Sequence, residues 1–183
     1  MNHLATSKED ILAASRDLIK ENGWAAVSIR AVASRCSVSA GTIYNYYESK
    51  ADLLSDTIES IWHEIFFHPE DEQVFHDVES CISWIYERLE YGNRQFPGFF
   101  SLHSFGFMRD EKTSGKKRMM KTWGHILNGL CEVLENDPKV RADVFDQEFT
   151  EKKFADILFS LILVSMIRQD YDPSSVLMLV KKR

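Results

Sequence analysis

The sequence predicts an all-α fold in which three short N-terminal helices precede a longer helical region. Apolar residues recur three or four positions apart in nearly every segment, the spacing of one helix face. Residues typical of helix caps and helix ends separate these segments. No run of alternating polar and apolar residues indicates a β-strand. With 183 residues, the chain is long enough to bury a core of its own.

Composition describes an ordinary globular protein with 44% hydrophobic and 27% charged residues. The longest apolar run, 157–167, is too short to span a bilayer. The first 21 residues lack the apolar stretch of a signal peptide, so we expect a cytoplasmic protein without membrane contact. Cys36, Cys81 and Cys131 are widely spaced, which predicts neither a metal site nor a disulfide framework. No cofactor is expected.

The first helix is predicted to begin at Thr6 or Ser7 and to end at Gly23. Acidic residues stand two to four positions after the start, at capping-box distance. Its inner face carries Ile11, Ala14, Ser15, Leu18 and Ile19, so this helix is interpreted as scaffold.

Two shorter helices follow, separated by a tight turn at 37–39. Ser28 is the predicted N-cap of the first, and Ser39 caps the second, over 40–45. Each is too short to be stable alone and must dock through its apolar residues. In the second helix Val38 and Ile43 are predicted to face inward, which leaves an outer face of small residues. A phosphate oxygen or a base edge can approach the amides at its N-terminus.

The residues of this stretch resemble the DNA-binding domain of TetR-family transcriptional repressors. The shared pattern is Ser-Ile-Arg-x-Val-Ala from Ser28, Val-Ser-x-Gly-Thr-Ile-Tyr-x-Tyr-Tyr from Val38, and Lys-x-x-Leu-Leu from Lys50. The resemblance runs from about residue 7 to 65. Two positions depart from it: Ser37 replaces the usual turn glycine, and Tyr47 replaces a phenylalanine. Neither change removes a DNA-contacting group.

The resemblance implies a helix-turn-helix DNA-binding domain over 1–50, a linking helix over 49–67, and a helical effector-binding and dimerisation domain over 68–183. It also implies a non-enzymatic repressor that a ligand releases from a pseudo-palindromic operator. Phosphate contacts are expected from Ser28, Tyr44 and Lys50, and backbone contact from Tyr46, with Ser39 at the capped helix end. The positions expected to reach base edges or adjacent phosphates are Arg30, Ala40, Gly41, Thr42 and Asn45.

Charge is unevenly divided along the chain. The whole chain carries −6, yet up to residue 50 six Lys or Arg face five Asp or Glu. The remainder holds 16 basic and 23 acidic residues, a net charge of −7. Residues 1–50, called the head below, therefore carry a net charge of only +1. This small charge predicts that DNA affinity depends on a few well-placed contacts and on dimerisation.

The segment 157–167 holds only two serines among eleven residues, so a helix there needs cover on several sides. We predict that helices near 154–168 and 173–180 form a four-helix homodimer interface, the alternative being a central core helix. A two-fold dimer sets the recognition helices about 34 to 36 Å apart, one DNA turn.

Another helix is predicted over 70–91 and ends at Gly92, and a short helix is predicted from Pro97. A polar link over 109–117 then precedes a further helix that ends at Asn136. Their aromatic residues predict either an ordinary core or a cavity for an apolar or planar effector. The candidate ligand-binding residues are Trp62, Phe66, Trp84, Phe99, Phe100, His103, Met120 and Trp123.

Three alternatives remain at the sequence level. An enzyme is disfavoured because the sequence has no nucleophile elbow, P-loop, GxGxxG or HExxH motif. Cys36 is either an inert thiol on an apolar face or a redox sensor. The protein is either ligand-responsive or a TetR-like DNA binder without a ligand, controlled by a protein partner or by thiol oxidation.

Overall fold

The computed structural model describes residues 6–66, 75–100, 114–141 and 143–181, and side chains from 123 onward in the helix that begins at 114. All regular structure in this part of the chain is helical, as predicted. The helices are α1 (Lys8–Asn22), α2 (Ile29–Arg35), α3 (Ala40–Tyr44), α4 (Lys50–Phe66), α5 (Val78–Gln95), α6 (Ser114–Asn136), α7 (Glu151–Arg168) and α8 (Ser174–Lys181).

The head consists of α1, α2 and α3 packed around a small core. Ser7 and Asp10 form a capping box: the Ser7 amide donates to Asp10 Oδ2 at 2.8 Å, and the Asp10 amide donates to Ser7 Oγ at 3.1 Å. Gly23, at φ 76°, ends α1 as predicted. The side chains that join the three helices are fully buried: Ile11, Ile19, Val32 and Ile43.

The turn between α2 and α3 places Ser37 at φ 56°, the left-handed region that favours glycine. The chain therefore keeps the usual turn conformation and tolerates the strain of a side chain there. Its backbone is held by hydrogen bonds from the Ser37 amide to the Ser34 carbonyl and from the Val38 amide to the Ala33 carbonyl.

Ser37→Gly is expected to stabilise the protein. Relief of left-handed strain, about 1 to 2 kcal/mol, exceeds the entropic cost of a glycine, about 0.5 to 1 kcal/mol. The melting temperature should rise by about 2 °C, measured by circular dichroism. Ser34→Gly, three residues earlier inside α2, is the matched control and should lower it. A lower melting temperature for Ser37→Gly would contradict the strain.

Helix α4 connects the head with the rest of the structure. Ser49 begins it, with the Asp52 amide donating to Ser49 Oγ at 3.2 Å, as the sequence predicts. Its buried stripe includes Leu53, Ile61 and Ile65, and the helix packs against α1, α5 and α6. A movement of α4 therefore affects both the head and the larger helical region.

Helix α5 differs from its prediction at both ends. It begins after Asp77 rather than at 70, and it continues through Gly92 to Gln95. The predicted end at Gly92 is wrong because this glycine serves packing: a Cβ there would lie 2.6 Å from Ile65 Cδ1 and 3.1 Å from Phe100 Cε2. Gly92 thus allows α4 and α5 to approach closely. Val74, placed in this helix by the sequence prediction, lies outside the described residues.

The first turn of α5 is anchored to the loop after α6. Asp77 caps the helix by accepting from the Ser80 amide at 2.7 Å, and Asp137 accepts from the Val78 amide at 3.0 Å. The Lys139 ammonium lies 2.8 Å from Asp77 and, with the Ser80 amide, lowers the pKa of Asp77 to about 2. These contacts fix the end of α6 against the start of α5.

Helix α6 begins at Ser114, inside the segment predicted as a polar link. That prediction is wrong from 114 to 117 because lysine, abundant there, is a good helix former despite its polarity. Helices α7 and α8 lie where the apolar pattern places them. Among the residues described, no helix has the length and apolar character needed to cross a membrane.

Candidate functional site

The surface of α2 and α3 is positioned by two serine caps and one buried anchor. Ser28 Oγ accepts from the Ala31 amide at 3.1 Å, and Ser39 Oγ accepts from the Thr42 amide at 3.2 Å. Ile43 is fully buried and Val38 is half-buried against the core, as predicted. Docking through Ile43 turns the opposite side of α3 outward.

The outward side of α3 carries the residues predicted to reach DNA. Gly41 and Asn45 are exposed, and the Tyr44 side chain is 56% exposed. Ala40 and Thr42 are half-buried at the edges of this face. We call the exposed surface of α3, together with Arg30 and Lys50, the α3 surface.

Four of the six basic residues up to residue 50 make ion pairs within the chain. Lys8 lies 2.5 Å from Asp56, and Arg35 lies 2.5 Å from Glu21, whose pKa it lowers by hydrogen bonding. Arg16 and Lys20 both bind Glu64, at 3.0 and 2.7 Å.

The other two basic residues are Arg30 and Lys50, which belong to the predicted DNA site. Arg30 is the second residue of α2, Lys50 is the first residue of α4, and both are exposed. Neither makes an ion pair with any other described residue. The positive charge that remains available on the head therefore lies at these two positions.

Gly41 is not required by the fold. A Cβ at this position would meet only Ser39 Oγ, at an ordinary 3.5 Å, and the residue lies within a helix. Glycine in a helix costs about 1 kcal/mol relative to alanine. The chain thus gives up helix stability to keep this part of the α3 surface flat.

The two tyrosines after α3 are largely engaged inside the head. Tyr46 donates its hydroxyl to the Thr6 carbonyl at 2.7 Å and is half-buried, so that hydroxyl is already used. Tyr47 is 4% exposed and belongs to the core. Of the three tyrosines, Tyr44 is therefore the accessible one.

The Cys36 thiol is half-buried in the head. Its Sγ lies 3.8 Å from the Asp10 carbonyl, and burial raises the pKa of the thiol. A raised pKa lowers the fraction of reactive thiolate, which favours an inert thiol over a redox sensor.

A cavity of about 480 Å³ lies between the end of α4, α5 and α6. Of the predicted ligand residues, Phe66 and Trp84 line it. The neighbouring wall comes from residues that the sequence prediction did not select: Phe75, Ile85, Leu130 and Val133. Helical spacing could have identified Ile85, since Cys81, Trp84 and Ile85 share one face of α5.

The other described residues of the predicted ligand set do not line this cavity. Trp62, Phe99 and Phe100 are buried in an aromatic cluster, with Trp62 at 5.3 Å from Phe99 and 5.6 Å from Phe100 between ring centroids. Trp123 packs against Phe159 at 5.9 Å. His103 and the side chain of Met120 lie outside the described residues.

The end of α4 is held by charged contacts on two sides. The Glu64 carboxylate binds Arg16 and Lys20 of α1. Arg88 of α5 donates to the Glu64 carbonyl at 3.1 Å and to the Ile65 carbonyl. The next residue, Phe66, lines the cavity. Three consecutive residues of α4 therefore contact the head, α5 and the cavity.

Helix α7 has an apolar face on each side. One face buries Phe154, Leu158, Ile162 and Met166, while Ile157, Val164 and Ile167 on the other side are 44%, 45% and 52% exposed. Met178 and Leu179 of α8 are also exposed. We call these five exposed side chains the α7–α8 patch.

Comparison with known proteins finds sequence similarity in the head and structural similarity in the fold. Residues 11–57 match the model of the family described as bacterial regulatory proteins, tetR family. The HTH-type transcriptional regulator UidR of Escherichia coli is 38% identical over 48 residues, which are 26% of this chain and 24% of UidR. The chain thus matches about a quarter of the length of this relative.

Solved structures resemble the chain over nearly its whole length. A TetR transcription regulator from Haloarcula marismortui has a TM-score of 0.70 and 18% identity, covering 95% of this chain and 93% of that one. The transcriptional regulator FadR from Bacillus subtilis in complex with stearoyl-CoA has a TM-score of 0.64 and 16% identity, covering 96% of each chain. At this identity the similarity concerns the fold.

Residues 11–57 are therefore similar to the helix-turn-helix domain of the bacterial tetR regulatory family. Over the whole chain, the fold resembles that of solved TetR regulators.

Proposed function

We propose that this protein is a DNA-binding repressor that binds a pseudo-palindromic operator as a homodimer and is released by a small, largely apolar ligand. The observation that carries the DNA-binding part is the α3 surface. It combines a small outer face with the two basic residues of the head that make no ion pair among the described residues. A phosphate backbone supplies the missing partners.

The predicted DNA-contacting residues differ in their proposed roles. Lys50, Tyr44 and Ser28 bind phosphates and fix the position of the head. Asn45 and Thr42 face base edges in the major groove, where an asparagine amide suits adenine and a threonine methyl suits thymine. Arg30, Ala40 and Gly41 border the same groove, Ser39 caps α3 at the phosphate end, and Tyr46 contributes through its ring edge.

Dimerisation is proposed through the α7–α8 patch. Exposed isoleucine, valine, leucine and methionine side chains on α7 and α8 lose water contact when a second copy covers them. A two-fold axis through this patch pairs α7 and α8 with their copies as a four-helix interface. Residues 1–50 then act as the reading head, and 68–183 as the effector and dimerisation region.

Effector control is proposed through the cavity and α4. The transcriptional regulator FadR from Bacillus subtilis, which shares this fold, is described in complex with stearoyl-CoA, a molecule with a long apolar chain and an anionic coenzyme A group. That neighbour supports a small-molecule site in this fold and leaves the charge of the ligand open. Here a ligand that pushes Phe66 acts directly beside Glu64, which holds α1. The cavity favours a small-molecule effector over control by a protein partner alone.

Gly41→Ala provides the test of the α3 surface. The extra methyl should leave folding intact or raise the melting temperature, but it should weaken DNA binding by about tenfold, because it separates α3 from the groove. Binding is measured by fluorescence anisotropy on a duplex selected by the wild-type protein from a random library.

Gly124→Ala in α6 is the matched control, since a Cβ there meets nothing within 4 Å. It should change DNA affinity by less than about twofold. Equal affinity of wild type and Gly41→Ala would refute the proposed approach of α3 to the groove.

A further inference from the structure

The cavity between α4, α5 and α6 has an aromatic side and a polar rim. Trp84 lies 5.9 Å from Phe66 and 5.3 Å from Phe75 between ring centroids, with interplanar angles of 65° and 57°. Rings at such angles present both edges and faces to the enclosed space. The polar lining residues are His125, Glu132 and Asn136, all exposed on α6.

Among the described residues that line the cavity, the side-chain charge has one sign. Glu132 is the one charged side chain among the described lining residues, and none of these is lysine or arginine. Glu132 makes no ion pair with another described residue, so its carboxylate remains available to a ligand. The side-chain amide of Asn136 donates to the backbone carbonyl of Glu132 at 2.7 Å. This hydrogen bond does not involve the Glu132 carboxylate.

The rest of the cavity suits the same ligand charge. Aromatic faces attract cations through their quadrupole and do not attract anions. The chain beyond residue 50 carries a net charge of −7, so its general field also opposes an anionic ligand.

We infer that the effector of this protein is an apolar, ring-containing molecule that carries a positive charge, and that Glu132 selects it. The inference rests on the proposed function, because it assigns a ligand class to the cavity proposed there. The apolar body lies against Phe66, Phe75 and Trp84, and the cationic centre lies within reach of the Glu132 carboxylate. Anions of the same size are excluded by the same carboxylate.

Tetraphenylphosphonium and tetraphenylborate provide the test, since they have nearly the same size and shape but opposite charge. Both dissociation constants are measured by calorimetry on the full chain without DNA. The wild type should prefer the phosphonium. In Glu132→Gln the phosphonium should bind about three- to fivefold more weakly and the borate correspondingly more tightly. The preference ratio should thus fall by about tenfold.

Glu135→Gln is the matched control: it removes the same charge from an exposed position on α6 that does not line the cavity. It should leave the ratio nearly unchanged. Glu132→Lys should bind the borate more tightly than the phosphonium. This reversal would show that the weaker phosphonium binding of Glu132→Gln comes from the lost charge and not from a general loss of binding. An unchanged ratio in both Glu132 variants, or failure of the wild type to bind either ion, would overturn the inference.

DNA binding is measured separately, without either ion. If the wild type binds its selected duplex but not the phosphonium, the ligand class is wrong and the DNA-binding proposal stands. If the phosphonium binds with the predicted dependence on Glu132 but no duplex is selected, the DNA-binding proposal fails and the cavity assignment stands.

Discussion

Replacing Val164 and Ile167 together by aspartate is expected to give a folded monomer that binds the operator at least about 100-fold more weakly than the wild type. Both side chains are about half exposed and belong to the α7–α8 patch, so the single chain loses little packing. In the dimer, four aspartates would be buried without partners, which costs more than the patch contributes. Affinity falls because one head must then bind alone.

Molar mass by light scattering at micromolar concentration and helix content by circular dichroism measure the two parts of this prediction. Lys152→Asp is the matched control, since it places an aspartate at an exposed position of α7 outside the patch. It should remain dimeric and bind the operator normally. If the double variant stays dimeric, the dimer interface does not lie at the α7–α8 patch. If the wild type itself is monomeric, the proposed dimer is wrong.

The head could be predicted closely from sequence because its structure depends on local signals. Ser7, Ser28, Ser39 and Ser49 each cap the helix that follows, and Gly23 ends α1. These caps act over three or four residues, a distance at which sequence patterns are informative. The sequence marks Ser37 as a position where glycine is usual, and the structure gives this residue a positive φ of 56°.

Features that depend on contacts between distant segments were not predictable in the same way. Gly92 indicates a helix end when considered alone, yet its place is set by Ile65, which is 27 positions away in the chain. The cavity likewise combines faces of α4, α5 and α6. Sequence could suggest that aromatic residues enclose a ligand, but it could not separate Trp84, at the cavity, from Trp62, in the closed cluster.

The distribution of ion pairs is the clearest such case for the candidate site. Composition shows a head of only +1, which gives little reason to expect DNA binding from charge alone. Lys20 is neutralised by Glu64, 44 residues later, and Lys8 by Asp56. These pairs need the folded arrangement of α1 and α4. They leave Arg30 and Lys50 as the basic residues of the head that make no ion pair among the described residues.

Lys50→Ala is expected to weaken binding to every DNA sequence alike, by about tenfold in a dimer. Each Lys50 that binds a phosphate releases a counterion, so the slope of log affinity against log salt should decrease by about 2 per dimer. Affinity for the selected duplex and for a scrambled one is measured between low and moderate salt concentration.

Arg35→Ala is the charge-matched control, because it removes the same formal charge from a residue already paired with Glu21 at 2.5 Å. Its salt slope should change much less, although the head loses one positive charge in both variants. Equal slopes for the two variants would show that net charge alone governs binding and that the free ammonium of Lys50 has no special place on the DNA.

Asn45→Ala distinguishes base recognition from phosphate binding on the α3 surface. The variant keeps the charge of the head, so its salt slope should match that of the wild type. Its affinity should fall by about 1 to 3 kcal/mol per half-site on the selected duplex and much less on the scrambled one, because only a base edge distinguishes the two. Equal losses on both duplexes would assign Asn45 to the phosphate backbone and leave sequence reading to the other exposed residues of α3.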